Sequence, residues 1–157
     1  MLARPCDSYD VTAALQAYRE RGYVRIANVA SEATLAQLRT RTHAIMLGEV
    51  VHDGLFFQLD TASGSYDDLT FGRGWEGPSE RYRKIEKLEK DPLFRAWIDN
   101  PLFERIARSV IEGPIVTYRA IVMSKAAHGG SDLPWHQDAG AFWARPRSGA
   151  PDLDGAR

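Results

Sequence analysis

The chain has 157 residues, of which 44% are hydrophobic and 26% charged, and its formal net charge is −1. This length and composition are typical of one soluble globular domain that can bury a core, so we treat residues 1–157 as a single domain. The near-neutral charge gives no electrostatic basis for binding nucleic acid or an anionic membrane surface.

The cellular compartment follows from cysteine usage and hydropathy. Cys6 is the only cysteine, which excludes an internal disulfide framework and suits a reducing compartment. The first ten residues have neither a basic region nor the apolar region of a signal peptide, and no apolar run is long enough to span a bilayer. We therefore expect a cytoplasmic protein that does not associate with membranes.

The first sixty residues contain two helical patterns and two short strand patterns. Apolar spacing predicts a helix over Val11–Arg21 and a second helix, capped by Ser31, that runs to Leu47. Alternation of side chains predicts a strand over Tyr23–Val29, and the apolar run Leu55–Leu59 predicts another strand.

The middle of the chain is dominated by a long loop pattern. Residues Thr61–Pro78 are rich in Gly, Ser and Asp and include the aromatic residues Tyr66, Phe71 and Trp75. Loops of this length act as lids or binding loops, or are disordered, so these aromatics either contact an organic substrate or hold the loop against the domain. The next segment, Ser79–Lys90, alternates basic and acidic residues and is interpreted as a charged face in solvent.

Two helix starts and one long strand follow. Asp91-Pro92 and Asn100-Pro101 each combine a capping side chain with a proline at the first helical position, which predicts helices ending at Ile98 and Glu112. Ile115–Lys125 is rich in β-branched residues with alternating faces and predicts the longest strand of the chain.

Just beyond this strand and a glycine-rich loop lies the sequence Pro134-Trp135-His136-Gln137-Asp138. Side chains alternate between the faces of a strand, so His136 and Asp138 project to the same side. An imidazole and a carboxylate placed in this way can hold two adjacent positions of a divalent metal. A second histidine would complete the facial triad of non-haem Fe(II) oxygenases. The alternative is that both side chains hydrogen-bond only to backbone or water, since a His-x-Asp pattern is common by chance.

With these segments in place, the sequence resembles the phytanoyl-CoA dioxygenase family, a branch of the Fe(II)/2-oxoglutarate oxygenases. The resemblance rests on Gly22-Tyr23-Val24, on Lys84–Phe94, and on Met123-Ser124-Lys125 ahead of Pro134–Asp138. It implies an α+β chain with a mostly β core. That core would be a double-stranded β-helix (a cupin-like jelly roll) with the N-terminal helices packed outside it. It also implies hydroxylation of a C–H bond coupled to oxidative decarboxylation of 2-oxoglutarate.

The resemblance also implies a set of ligands and partners. His136 and Asp138 would bind Fe(II), while 2-oxoglutarate and O2 would take the remaining positions on the metal. Lys84 aligns with a basic family position that contacts 2-oxoglutarate, although it could equally be one more lysine on a charged face. The expected partners are O2 and a small organic or acyl substrate, with no nucleic acid; the oligomeric state is not indicated.

The sequence departs from the family pattern after Asp138. The family places a second histidine and then a co-substrate-binding arginine well downstream of the His-x-Asp motif. No histidine follows Asp138 in this sequence, and Arg145, Arg147 and Arg157 lie too close to the motif to match that arginine.

Residues 144–157 have no periodicity and are rich in Ala, Arg, Gly and Pro. Reading degenerate codons one base later permits a strand-like sequence of the family's type. We therefore expect that 144–157 is a non-native tail produced by a frameshift near Trp143, which leaves an incomplete jelly roll.

Three hypotheses follow. The first is a 2-oxoglutarate-dependent dioxygenase whose activity is impaired in this truncated form. The second is a non-catalytic remnant or binding domain on the same scaffold. The third is a metal-binding jelly roll that recruits a ligand from a second chain. An intact reading frame past Trp143 in the encoding DNA would discriminate best among them.

Overall fold

The computed structural model describes residues 10–26, 28–70, 72, 74–125 and 130–133. Within these ranges the chain forms four α-helices and one three-stranded antiparallel sheet, an α+β arrangement. None of the helices in this part of the chain combines the length and the apolar character needed to cross a bilayer.

The two N-terminal helices are confirmed. Helix α1 (Val11–Arg21) is capped by Asp10, whose carboxylate accepts the N–H groups of Thr12 and Ala13. Helix α2 (Glu32–Met46) is capped by Ser31, whose hydroxyl accepts the N–H of Thr34. Both caps satisfy N–H groups that have no partner within their helix.

The strand predicted over Tyr23–Val29 is wrong. The described residues of this stretch, 23–26 and 28–29, form no strand. Asn28 has a φ of 59°, a left-handed conformation that interrupts an extended chain. Tyr23 is 69% exposed, so the alternation of side chains here does not reflect one buried face.

The sheet has the order β1-β2-β3, with all pairs antiparallel. Strand β1 (Phe56–Leu59) confirms the strand predicted in this region. Strand β3 (Ile121–Met123) is much shorter than the predicted Ile115–Lys125. It pairs only with the last three residues of β2, and Val116, further upstream, is 88% exposed. A β-branched sequence therefore becomes strand here only where a partner strand lies beside it.

The central strand, β2 (Tyr82–Glu86), corrects the interpretation of Ser79–Lys90 as a charged face in solvent. Arg83 and Glu86 are 6% and 5% exposed, so two charged residues of this strand are buried. They are tolerated because each has a partner: Gln58 for Arg83, and both Lys84 and Arg119 for Glu86.

The two proline-initiated helices are also confirmed. Helix α3 (Pro92–Ile98) is capped by Asp91, and helix α4 (Pro101–Val110) by Asn100. Helix α4 ends two residues before the predicted Glu112. Short 3₁₀ turns lie at Tyr66–Asp68 and Leu88–Lys90.

The hydrophobic core lies between one face of the sheet and helices α2 and α3. It contains Ile45, Met46, Leu55, Phe57, Tyr82, Ile85, Leu88 and Phe94. The rings of Phe57 and Tyr82 meet with their centroids 5.0 Å apart. Each large apolar side chain buried in this way contributes about 1.5–3 kcal/mol. The core therefore fixes β2, which carries the charged residues described next.

Candidate active site

Of the residues predicted to form the site, Lys84 lies within the described part of the chain, whereas His136 and Asp138 lie outside it. Lys84 is in the middle of β2, paired with Gln58 of β1 and Met123 of β3. Strand β3 is followed by Ser124 and Lys125, the beginning of the connection to the His-x-Asp motif.

Lys84 is part of an ion triad. Its ammonium contacts one carboxylate oxygen of Glu86, and the Arg119 guanidinium contacts the other oxygen. Lys84 and Glu86 are two residues apart on β2, so their side chains share a face. The side chains of Lys84 and Arg119 are 29% and 32% exposed, while that of Glu86 is only 6% exposed. One buried carboxylate thus holds two partly exposed cations side by side.

A β-bulge sets the direction of the neighbouring side chains. Gln58 pairs with Lys84 but the next residue, Leu59, pairs with Tyr82, so the register skips Arg83. The extra residue lies close to Gln58, with Arg83 Nη1 3.4 Å from Gln58 Oε1. Bulges often re-aim a side chain beside an active site.

Arg83 also contacts the long loop. Its guanidinium carbon lies 5.7 Å from the centroid of the Tyr66 ring, within the range of a cation–π contact. The loop is held at a second point by Trp75, whose Nε1–H donates to the Met46 carbonyl at 3.1 Å. Trp75 therefore holds the loop against the domain, as one of the two alternatives expected. Phe71, the third aromatic of this prediction, lies outside the described residues.

A polar network holds the chain just before the His-x-Asp motif. Ser131 donates both its backbone N–H, at 2.9 Å, and its hydroxyl to Asp60 Oδ1. The Ser131 hydroxyl also lies 2.9 Å from that of Thr61. Burial raises the pKa of Asp60. The bonds from Ser131 and Thr61 and the charge of Arg83 outweigh this effect and leave the pKa below its ordinary value. Asp60 therefore acts as an ionised anchor for residue 131.

An open apolar groove lies beside β3, between α2 and α3, with a volume of about 520 Å³. Its walls include Leu38, Leu88, Phe94, Trp97 and Val122. These residues overlap with or adjoin the core, so the groove is an extension of the core towards the β3 edge.

The described residues do not themselves supply a metal centre. No group of three or more His, Cys, Asp or Glu side chains within the described ranges could hold a metal ion. His52 Nε2 lies 2.8 Å from Asp91 Oδ2, but Asp91 also caps α3, so this pair serves the fold. The residue types of His136 and Asp138, an imidazole and a carboxylate, match the donors of non-haem Fe(II) sites.

Sequence reasoning missed Glu86 and Arg119. Both looked like ordinary surface charges, and they are 33 residues apart in the chain. The sequence signal that could have indicated Glu86 is its spacing from Lys84, which on a strand places a cation and a carboxylate on one face, whereas no local pattern indicates Arg119.

The family model described as phytanoyl-CoA dioxygenase (PhyH) matches residues 18–153. The match covers most of the chain and includes Lys84, the ion triad, His136 and Asp138. No curated protein and no solved structure shows a significant match.

Proposed function

The chain belongs to the phytanoyl-CoA dioxygenase family, and on this basis we propose that it is an Fe(II)- and 2-oxoglutarate-dependent dioxygenase that hydroxylates a small organic or acyl substrate. Members of this family generally depend on Fe(II) and 2-oxoglutarate and consume O2. The observation that carries the proposal is the family match over residues 18–153, because it includes the His-x-Asp motif and Lys84 together.

The proposed fold is a double-stranded β-helix to which the described sheet contributes. Two features support it. The described strands are all antiparallel. Val122 packs against the core, so Ile121 and Met123 lie on the other face of β3, where they are 44% and 51% exposed, as expected of a face that a second sheet would cover. Helices α2 and α3 lie across the core from this sheet, on the side that would be the outside of such a fold.

We assign the proposed roles by residue type. His136 and Asp138 would hold the iron, which when bound supplies the position where O2 is activated. Lys84 would bind a carboxylate of 2-oxoglutarate through its ammonium. The bond between Asp60 and Ser131 would hold the chain in place five residues before His136, which would help to position the metal ligands.

We also propose that turnover by the 157 residues alone is low. His136 and Asp138 supply two protein ligands where the facial triad has three, and each missing ligand weakens metal retention. If residues 144–157 arise from a frameshift, a chain restored to the other frame would regain the ligand and bind iron more tightly.

The test is succinate release from 2-oxoglutarate, measured with and without Fe(II), on the 157-residue chain and on the frame-restored chain. We expect Fe(II)-dependent succinate release from the restored chain and much less from the shorter one. His136→Ala and Asp138→Ala in the restored chain should abolish release. His43→Ala is the control, since this histidine is exposed on α2 and contacts only Glu80 among the described carboxylates. No release by the restored chain would contradict the oxygenase proposal and favour a non-catalytic binding domain.

A further inference from the structure

The ion triad of β2 offers more than one cation to a ligand. Glu86 is buried and its two oxygens are taken by different partners, Lys84 on the same strand and Arg119 just before β3. The two cations are thus neighbours, one on β2 and one in the segment just before β3. Because both contact the same buried carboxylate, they are held close together before any ligand binds.

The triad has an excess of positive charge and of hydrogen-bond donors. Two cations against one carboxylate leave a net charge of +1. An ammonium has three N–H donors and a guanidinium five, so contact with Glu86 leaves donors on both cations. Both side chains are about one-third exposed, whereas Glu86 is covered, so the unused donors are the ones open to a ligand.

The backbone around Arg119 is also held in place. The N–H of Ala120 donates to Glu89 Oε2 at 2.9 Å, and the Ala120 carbonyl accepts the N–H of Leu88 at 3.2 Å. The Arg119 guanidinium carbon lies 5.2 Å from the Tyr118 ring centroid. A guanidinium held in this way loses little freedom when it binds, which favours affinity.

We propose that Arg119 is a co-substrate-binding residue: it and Lys84 together bind one carboxylate of 2-oxoglutarate, and Glu86 sets the distance between them. The identity of this ligand rests on the proposed function. A carboxylate suits the pair because its two oxygens can accept from the planar guanidinium and the ammonium at once. Glu86 already shows that one carboxylate can bridge both cations.

The experiment measures binding of glutarate and of 2-oxoglutarate by calorimetry, without metal, to the 157-residue chain and its variants. Glutarate keeps both carboxylates but lacks the 2-oxo group, so its binding reports the carboxylate contacts alone. We expect Arg119→Gln and Lys84→Gln each to raise the Kd for both ligands about tenfold, which corresponds to about 1.4 kcal/mol. Arg108→Gln is the matched control, because it removes an arginine from an exposed ion pair with Glu104 on α4.

A second variant separates binding from folding. Arg119→Lys keeps the charge beside Glu86 but loses the planar donors, so it should recover part of the affinity lost in Arg119→Gln. Melting temperatures of all variants show whether they are folded. In the native chain, the Nε–H signal of Arg119 should shift as glutarate is added.

The outcomes are distinct from those of the oxygenase test. Equal affinities of the native chain and a folded Arg119→Gln variant would overturn the role of Arg119, even if Fe(II)-dependent succinate release were found. Failure of the native chain to bind either dicarboxylate would overturn it as well. If Arg119→Gln and Lys84→Gln both lost glutarate binding and the frame-restored chain released no succinate, the carboxylate site would be supported and the oxygenase proposal rejected.

Discussion

Asp91 connects three parts of the fold through buried contacts, and its replacement by alanine gives the sharpest test of how the core is held. Its Oδ1 accepts the N–H groups of Leu93 at 2.8 Å and Phe94 at 3.2 Å, which caps α3. Its Oδ2 lies 2.8 Å from His52 Nε2 and 3.7 Å from Arg41 Nη1. The residue is 0% exposed.

The cost of Asp91→Ala has two parts. Loss of a capping side chain costs about 0.5–2 kcal/mol. The partly buried His52 ring, whose side chain is 22% exposed, also loses its partner, at a cost of about 1–3 kcal/mol. The sum is about 1.5–5 kcal/mol, which for a domain of this size lowers the Tm by about 3–20 °C. Thermal unfolding followed by circular dichroism measures this directly.

Asn100→Ala is the matched control. Asn100 caps α4 by accepting the N–H of Leu102 at 3.0 Å, without the buried ion pairs of Asp91, and its loss should cost about 1 kcal/mol. If Asp91→Ala lowered the Tm no more than Asn100→Ala, the contacts of Asp91 with His52 and Arg41 would contribute nothing beyond the cap.

The same carboxylate predicts a pH dependence. Burial raises the pKa of Asp91, but the bonds from His52, Phe94 and Leu93 and the charge of Arg41 outweigh it, so the pKa lies below its ordinary value. A lowered carboxyl pKa stabilises the fold above the unfolded-state value and loses this effect as the pH falls through the folded-state value. The advantage of the native chain over Asp91→Asn should therefore shrink below about pH 4. An advantage that grew in acid would refute this assignment.

Two further substitutions test the loop and the chain before the metal motif. Gly48 has a φ of +78°, and an added Cβ would lie 2.6 Å from Trp75 Cζ2, so Gly48→Ala should destabilise by more than 1 kcal/mol and shift the Trp75 fluorescence. Gly113→Ala is the control, because Gly113 has a φ of +92° and no atom lies within 4 Å of the added Cβ, so this variant measures the backbone cost alone. Equal losses of stability in the Gly48→Ala and Gly113→Ala variants would exclude a clash with Trp75. Ser131→Ala removes the hydroxyl that donates to Asp60. It should lower the free energy of unfolding, measured with urea, by about 1 kcal/mol and should weaken Fe(II) retention. Unchanged Fe(II) retention would show that the bond between Ser131 and Asp60 does not position the His-x-Asp motif.

The helices were predictable because their signals are local. Asp91-Pro92 and Asn100-Pro101 place a cap and a proline side by side, and both helices begin as these pairs indicate. A helix makes its hydrogen bonds within one segment, so its sequence contains most of the information that sets its start. The end of α4 was predicted two residues too late, because the backbone is already extended at Ile111, before Gly113 is reached.

The strands were less predictable because each needs a partner distant in sequence. The residues of β2 look like a charged surface because the bulge at Arg83 interrupts their alternation. Their partners also come from elsewhere in the chain: Gln58 accepts a hydrogen bond from Arg83, and Arg119 forms an ion pair with Glu86. The long strand expected over Ile115–Lys125 is shortened because only three of its residues have a pairing partner on β2. The site shows the same limit: resemblance indicated Lys84, but no local pattern indicates a contact between residues 86 and 119.

The bulge links the core to the candidate site. With regular alternation along β2, Tyr82 would share a face with Lys84 and Glu86. The extra residue, Arg83, instead lets Tyr82 pack against Phe57 in the core while Lys84 and Glu86 remain together on the other face. A shift of register by one residue exchanges the faces of a strand. Removing the bulge would therefore force either Tyr82 out of the core or the Lys84–Glu86 pair into it, so the stability of the sheet and the position of the proposed carboxylate site depend on the same residue.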